Sequence, residues 1–137
     1  MDGAVLQIGG SLVAILILAA IAWALKLGPS ARIEDEDDAR RFAREADTRF
    51  DPQNASVSRG NEAAILDDRQ GRIMVLRRHG THFAGRVLEP GAHATRHDGK
   101  LTIATTDRRF GLVTLDLGDA AQAWELRVDA LNSPDDA

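Results

Sequence analysis

The stretch HDGKLTIA, residues 97 to 104, decides how the second half of this chain folds. Asp-Gly between two short apolar runs is the strongest local signal for a β-hairpin. That turn needs positive φ at both central residues, and Asp98 and Gly99 tolerate it. After the turn, Leu101 and Ile103 alternate with Thr102. A period of two belongs to a strand with one buried face, since a helix repeats at 3.6. Working outward, the same grammar runs from Asn54 to Leu117. It predicts strands at 55–59, 63–67, 72–78, 82–88, 92–96, 101–106 and 110–117. Between them stand Arg69-Gln70-Gly71, Gly80, Pro90-Gly91, Asp98-Gly99 and Asp107-Arg108. Phe83, Gly85 and Val87 fall on one face of their strand, and Val113, Leu115 and Leu117 on one face of theirs. Short strands at even spacing predict an antiparallel meander that curls into a barrel or sandwich.

Helical spacing brackets this β segment. Downstream, Ala121, Trp124, Val128 and Leu131 share one face of a predicted helix. Asp119 is its expected N-cap, with Gln122 returning the bond. Asn132 and Pro134 end it. Upstream, residues 34–47 carry acids in the first turn and Arg in later turns, which complements the helix dipole. Ala39, Phe42, Ala43 and Ala46 make a thin apolar stripe there, closed by Phe50 and Pro52. A stripe so thin requires another element to lean on.

The N-terminus has a different character. From Gly3 to Leu25 run 23 residues without a charge. A bilayer core is crossed by roughly 20 apolar residues of helix, which satisfies its own backbone inside lipid. Trp23 suits an interfacial belt and Lys26 a snorkelling end. A cleaved signal peptide is the competing reading, with Ala22-Trp23-Ala24 as a weak cleavage site. Against it, the first residues hold Asp2 and no Lys or Arg, and the apolar core is long. Basic residues lie only after the span, at Lys26, Arg32, Arg40, Arg41 and Arg44. The positive-inside rule therefore expects a single span in the inner (plasma) membrane, with the following domain cytoplasmic. The small-xxx-small spacings Gly10/Ala14 and Ala20/Ala24 are common in so Ala-rich a run and set no oligomeric state.

The expected organisation is an anchor at 1–27, a linker at 28–33, an amphipathic helix at 34–50, a β-barrel with C-terminal helix at 51–132, and a tail at 133–137. In class terms this is an N-terminal transmembrane helix plus a small α+β domain. After the anchor there is enough chain for one core and not for two. The absence of cysteine excludes a disulfide framework. The net charge of −4 is unevenly spread. From Arg59 to Phe110 there are ten Arg and Lys against six Asp and Glu, and all four His. The basic residues are scattered rather than clustered, so no nucleic-acid partner is expected.

Seven antiparallel strands followed by one amphipathic helix resemble the pleckstrin-homology-like barrel, over about residues 54–132. The run from Leu101 to Phe110 looks like that superfamily's penultimate strand, hairpin and start of the last strand. Asp119 to Leu131, with Trp124 in the middle, looks like its closing helix, whose tryptophan packs into the open end of the barrel. The resemblance implies recognition of proteins or lipids rather than catalysis. Members that bind phosphoinositides carry a basic motif around the first hairpin. Here that hairpin holds Arg59, Gly60, Asn61 and Glu62, so headgroup binding is not implied. In composition the chain also resembles small single-pass proteins of Ala/Arg-rich bacterial genomes.

Chemistry-bearing motifs are sparse. His79, His82, His93 and His97 flank turns, but their spacing matches no metal motif. No serine sits in a Gly-x-Ser-x-Gly elbow, and no phosphate loop occurs. Catalytic, cofactor and metal residues are therefore expected to be none. Arg72, Arg77 and Arg78 form the densest basic group and are the candidate surface contacts. The leading expectation is a membrane-anchored, non-enzymatic binding or scaffold module that recognises a partner protein or the membrane surface. The alternative is a small membrane-bound enzyme or metal-binding protein using the His and Arg hairpins.

Overall fold

In the computed structural model, residues 2–27 and 31–132 are described, and they divide into two units, Met1–Ser30 and Ala31–Ala137. The first unit is a single helix, α1 (Asp2–Leu27). Its side chains from Asp2 to Ala24 are exposed, and it is long and apolar enough to cross a membrane. A signal sequence or a soluble core helix meets the same two criteria. The side chain of Lys26, the linker residues 28–30 and the tail at 133–137 lie outside the described residues.

The second unit opens with α2 (Glu36–Ala46). Asp35 caps it by accepting from the Asp38 N–H at 2.8 Å, and Asp38 accepts in return from the Glu34 N–H at 3.0 Å. The acidic run is thus a reciprocal cap on otherwise orphaned amides. Helical structure stops at Ala46, short of the boundary at 50, and Phe50 is buried beyond it as a plug.

Two antiparallel sheets follow. The first is a four-stranded meander of β1 (Pro52–Val57), β2 (Ala63–Asp68), β3 (Ile73–His79) and β4 (His82–Val87). The second is a three-stranded meander of β5 (His93–His97), β6 (Lys100–Ala104) and β7 (Leu112–Asp116). The Asp98-Gly99 turn joins β5 to β6 with φ of 51° and 77°, as the opening motif requires. Each of the seven expected strands has a counterpart, with shifted ends. β1 starts at Pro52 because a bulge between Pro52 and Ala55 extends the pairing, and an edge strand tolerates proline at its first residue. β7 starts at Leu112 rather than at residue 110, since Asp107 accepts from the Phe110 and Gly111 N–H groups and holds them in a turn.

Alternation along β2 and β3 explains why the first sheet is buried on both faces. Ala63, Ile65, Ile73 and Val75 face Leu101, Ile103, Val113 and Leu115 of the second sheet, together with Trp124 and Val128. Ala64, Leu66, Met74 and Leu76 face Ala39 and Ala43 of α2, with Ile33 and Phe50. The thin stripe of α2 therefore leans on the outer face of the first sheet. Gly85 lets it approach closely, since a Cβ there would meet the Ala46 Cβ at 2.8 Å. Fully burying each large aliphatic side chain stabilises the fold by about 1.5–3 kcal/mol.

The closing helix is α3 (Ala120–Ala130). Trp124 is buried, and its indole N–H donates to Ser56 Oγ at 2.8 Å. Arg127, one turn on, stacks over the Trp124 ring and pairs with the buried carboxylate of Asp67. The expected Asp119 cap does not form. Asp119 is itself helical, at φ −66° and ψ −24°, and makes no side-chain capping bond. Gly118, at φ 58°, turns the chain so sharply that Leu117 and Gly118 carbonyls take the first helical amides. The sheets meet at a corner where the Arg59 N–H donates to the Asp116 carbonyl at 3.1 Å. They stay two sheets and do not close into one ring.

Candidate functional site

β3 positions the first basic side chain. Residues two apart on a strand share a face, so Arg77 and His79 continue the inward face of Val75, beyond the core. Directly across on β4, Ala84 pairs with Arg77 and Arg86 with Val75, which places them on that same face. The loop from Thr105 to Gly111 then closes over them. Asp107 is its hub. Its backbone carbonyl accepts from the Phe110 and Gly111 amides and from Thr105 Oγ1, and its carboxylate accepts from the Arg109 N–H at 2.9 Å. Gly111 exits this turn at φ 73°, a conformation that favours glycine.

These elements enclose a cleft of about 230 Å³ lined by Arg77, His79, Ala84, Arg86, Arg109 and Phe110. Phe110 is buried and gives the cleft an aromatic wall. The guanidinium groups of Arg77 and Arg86 lie 5.2 and 5.4 Å from its ring centroid, within cation–π range. Arg77 also donates from Nη1 to the Phe110 carbonyl at 2.6 Å. Arg86 donates from Nε to Asp107 Oδ2 at 3.1 Å. That bond, with the Arg109 N–H, holds the Asp107 carboxyl below its ordinary pKa. Among the described residues no carboxylate lies within ion-pair distance of Arg77 or Arg109. Three arginines therefore line the cleft against one neighbouring carboxylate, that of Asp107, and the unspent charge is positive.

The other candidate residues go elsewhere. Arg72 donates to the buried Asp68 carboxylate at 2.6 Å and to the Arg49 carbonyl at 2.7 Å. Arg78 points to the α2 side and donates to the Ala31 carbonyl at 2.8 Å. Of the three arginines Arg72, Arg77 and Arg78, only Arg77 lines the cleft. His79 and His82 face each other across the β3–β4 turn, and His93 and His97 belong to the other sheet. Among the described residues no three His, Cys, Asp or Glu side chains assemble as a metal-binding set. A larger polar cavity of about 570 Å³ lies between the β5–β6 turn and the start of α3. Arg96 there already pairs with Glu125 at 3.3 Å, and Asp98 and Asp119 share the lining, so it holds no surplus charge.

Arg86, Arg109 and Phe110 escape a reading by local density, because Arg86 comes from β4 and the other two from the β6–β7 loop. Strand parity was the available signal. It groups Arg77 with Arg86 once the hairpin register is fixed, whereas adjacency groups Arg77 with Arg78. Chemically, the recess suits the holding of an anionic group against a flat aromatic wall. No family model matches this chain, and no curated protein and no solved structure matches it.

Proposed function

We propose that this chain is a membrane-anchored, non-enzymatic binding module, with a single span and a cytoplasmic pleckstrin-homology-like barrel that recognises a partner protein. The observation that carries the reading is the division of the chain. A helix of membrane-spanning length, uncharged from Gly3 to Leu25, precedes a separate unit with its own two-sided core. A tether raises the local concentration of the domain at the bilayer, so modest contacts suffice for binding. The barrel assignment is supported by the four-plus-three sheet arrangement, the Arg59–Asp116 corner and the inward Trp124 of the closing helix. The binding role is supported by the positively charged recess at one end of the sheets. The basic flank that follows the span supports the orientation.

Two measurements on the full chain test this. After alkaline carbonate extraction of membranes the chain should stay in the pellet at full mass. A reporter active only in the periplasm, fused after Ala137, should be silent. Release into the supernatant, removal of the residues up to Ala24, or an active reporter would each reject the anchored, domain-inside reading.

A further inference from the structure

We propose that the cleft, together with the open edge of β4, docks an extended acidic segment of a partner protein. The inference rests on the recognition half of the function above and not on the anchor.

Three observations converge on it. The first is charge. The recess is lined by three arginines, and two of them, Arg77 and Arg109, have no carboxylate partner among the described residues. Arg86 already takes a carboxylate as partner, that of Asp107 in the neighbouring loop, at 3.1 Å. Planar guanidinium groups match planar carboxylates. A compact dianion such as phosphate would sit beside Asp107 and be repelled by it, whereas single carboxylates spaced along a chain spread their charge.

The second observation is backbone. Among the described residues β4 has a strand neighbour on one side only, β3. Its outer face is taken by α2, through the Phe42–Phe83 ring contact at 4.7 Å and the close approach of Ala46 to Gly85. The edge is what remains. An edge strand offers unpaired N–H and C=O groups to an incoming strand. Arg86 lies on this edge strand, which repels a second basic edge and attracts an acidic one.

The third is spacing. Ala84 and Arg86, two residues apart, point to the cleft side of β4. A strand added along that edge places alternate side chains over the same recess. Acidic residues at every second position would meet Arg77, Arg86 and Arg109. Leu112, exposed beside the site, offers an apolar contact to a residue between them.

The test uses the full chain in detergent micelles and the fluorescence anisotropy of a labelled peptide of alternating Glu and Val. It should bind saturably, and the matching Lys-Val peptide should not. Arg109→Gln should weaken binding about tenfold, the loss expected for one charge-assisted hydrogen bond. Arg108→Gln removes the same charge one residue away, outside the lining, and should change binding less than about twofold. If Arg109→Gln unfolds the domain, Arg109→Lys is the substitute. It keeps the charge, removes the planar fork, and should still weaken binding measurably. Methylating the backbone nitrogens of the peptide should abolish binding. No binding, equal losses from the two arginines, or full binding by the methylated peptide overturns the proposal. So does displacement by inorganic phosphate or a soluble anionic phospholipid at lower concentration than unlabelled peptide, which would assign the recess to phosphate chemistry. Failure here leaves the carbonate result untouched, and failure of the anchor leaves this binding untouched.

Discussion

Asp67 offers a sharp perturbation, because one buried carboxylate ties three elements together. Its side chain is only 4% exposed, yet it accepts from the Asn54 N–H at 2.7 Å, from Asn54 Nδ2 at 3.0 Å and from the Arg127 guanidinium. β1, β2 and α3 therefore meet on it. Burial alone would raise its pKa. The two bonds from Asn54 and the Arg127 charge outweigh that penalty and lower it below 3.8. Asp67→Asn keeps the shape and turns one acceptor into a donor, so at least one of the three donors loses its partner. A hydrogen bond to a charged group contributes about 1.5–3 kcal/mol net, and an orphaned buried donor costs about 1–3. Arg127 is 39% exposed and can turn to water while staying on the Trp124 ring, so the lower half of that range applies to it. The expected loss is about 2 kcal/mol at neutral pH, or a drop in melting temperature of roughly 10 °C. The sign with pH follows from the lowered value. Stability from Asp67 is fully present above the unfolded pKa and is lost as pH falls through the folded one. The gap between wild type and variant should therefore begin to narrow near about pH 4 and close as pH falls through the lowered folded value. Trp124 fluorescence in a Trp23→Phe background, followed through urea unfolding at neutral and acidic pH, reports both numbers. A loss under about 0.5 kcal/mol, or a gap that persists in acid, would refute the assignment of Asp67 as a charged clasp.

Two further perturbations probe the two cores. Trp124→Ala should cost about 3–5 kcal/mol, as large core truncations do, close to the whole stability of a small domain. Trp124→Phe should retain most of it while abolishing the indole bond to Ser56, and circular dichroism melts separate the cases. Gly85→Ala should destabilise by about 1–3 kcal/mol through overpacking against α2, although Gly85 lies in ordinary strand backbone. Ala46→Gly in the same chain should recover part of that loss, and an uncompensated loss would show that α2 does not touch β4.

What the sequence made legible follows from how local each signal is. The Asp98-Gly99 turn, the alternation of Leu101 and Ile103, and the stripe of Ala121, Trp124 and Val128 are decided within a few residues. Each reappears in the fold. The N-terminal helix is equally local, since length and absence of charge fix it. Errors gather where a distant group wins. Asp119 was expected to cap α3 on the strength of Gln122, but the positive φ of Gly118 supplies carbonyls instead and leaves the carboxylate idle. The helix read at 34–47 is observed at Glu36–Ala46, within the segment bounded at 50, and Phe50 closes it by entering the core under α2. β2 reads Ala-Ala-Ile-Leu-Asp-Asp without alternation, and only the presence of α2 on one face explains why it is buried throughout.

The site was less legible for the same reason, carried further. Arg72, Arg77 and Arg78 are close in sequence, and the fold separates them into an acid-paired turn, a cleft and a helix-facing strand end. Arg77, Arg86 and Arg109 are far apart in sequence, and the fold gathers them around Phe110. Density along the chain measures neither outcome, because a strand sends successive side chains to opposite faces. What distinguishes Arg77 and Arg109 is the missing carboxylate, since Arg86 has one in Asp107. Ten other arginines of the described residues have an acidic partner within ion-pair distance, among them Arg40, Arg72, Arg96 and Arg127. A domain rich enough in Asp and Glu to pair most of its arginines leaves Arg77 and Arg109 unpaired on one recess. Holding three arginines around the single carboxylate of Asp107 costs stability, and a bound anion is the event that would recover it.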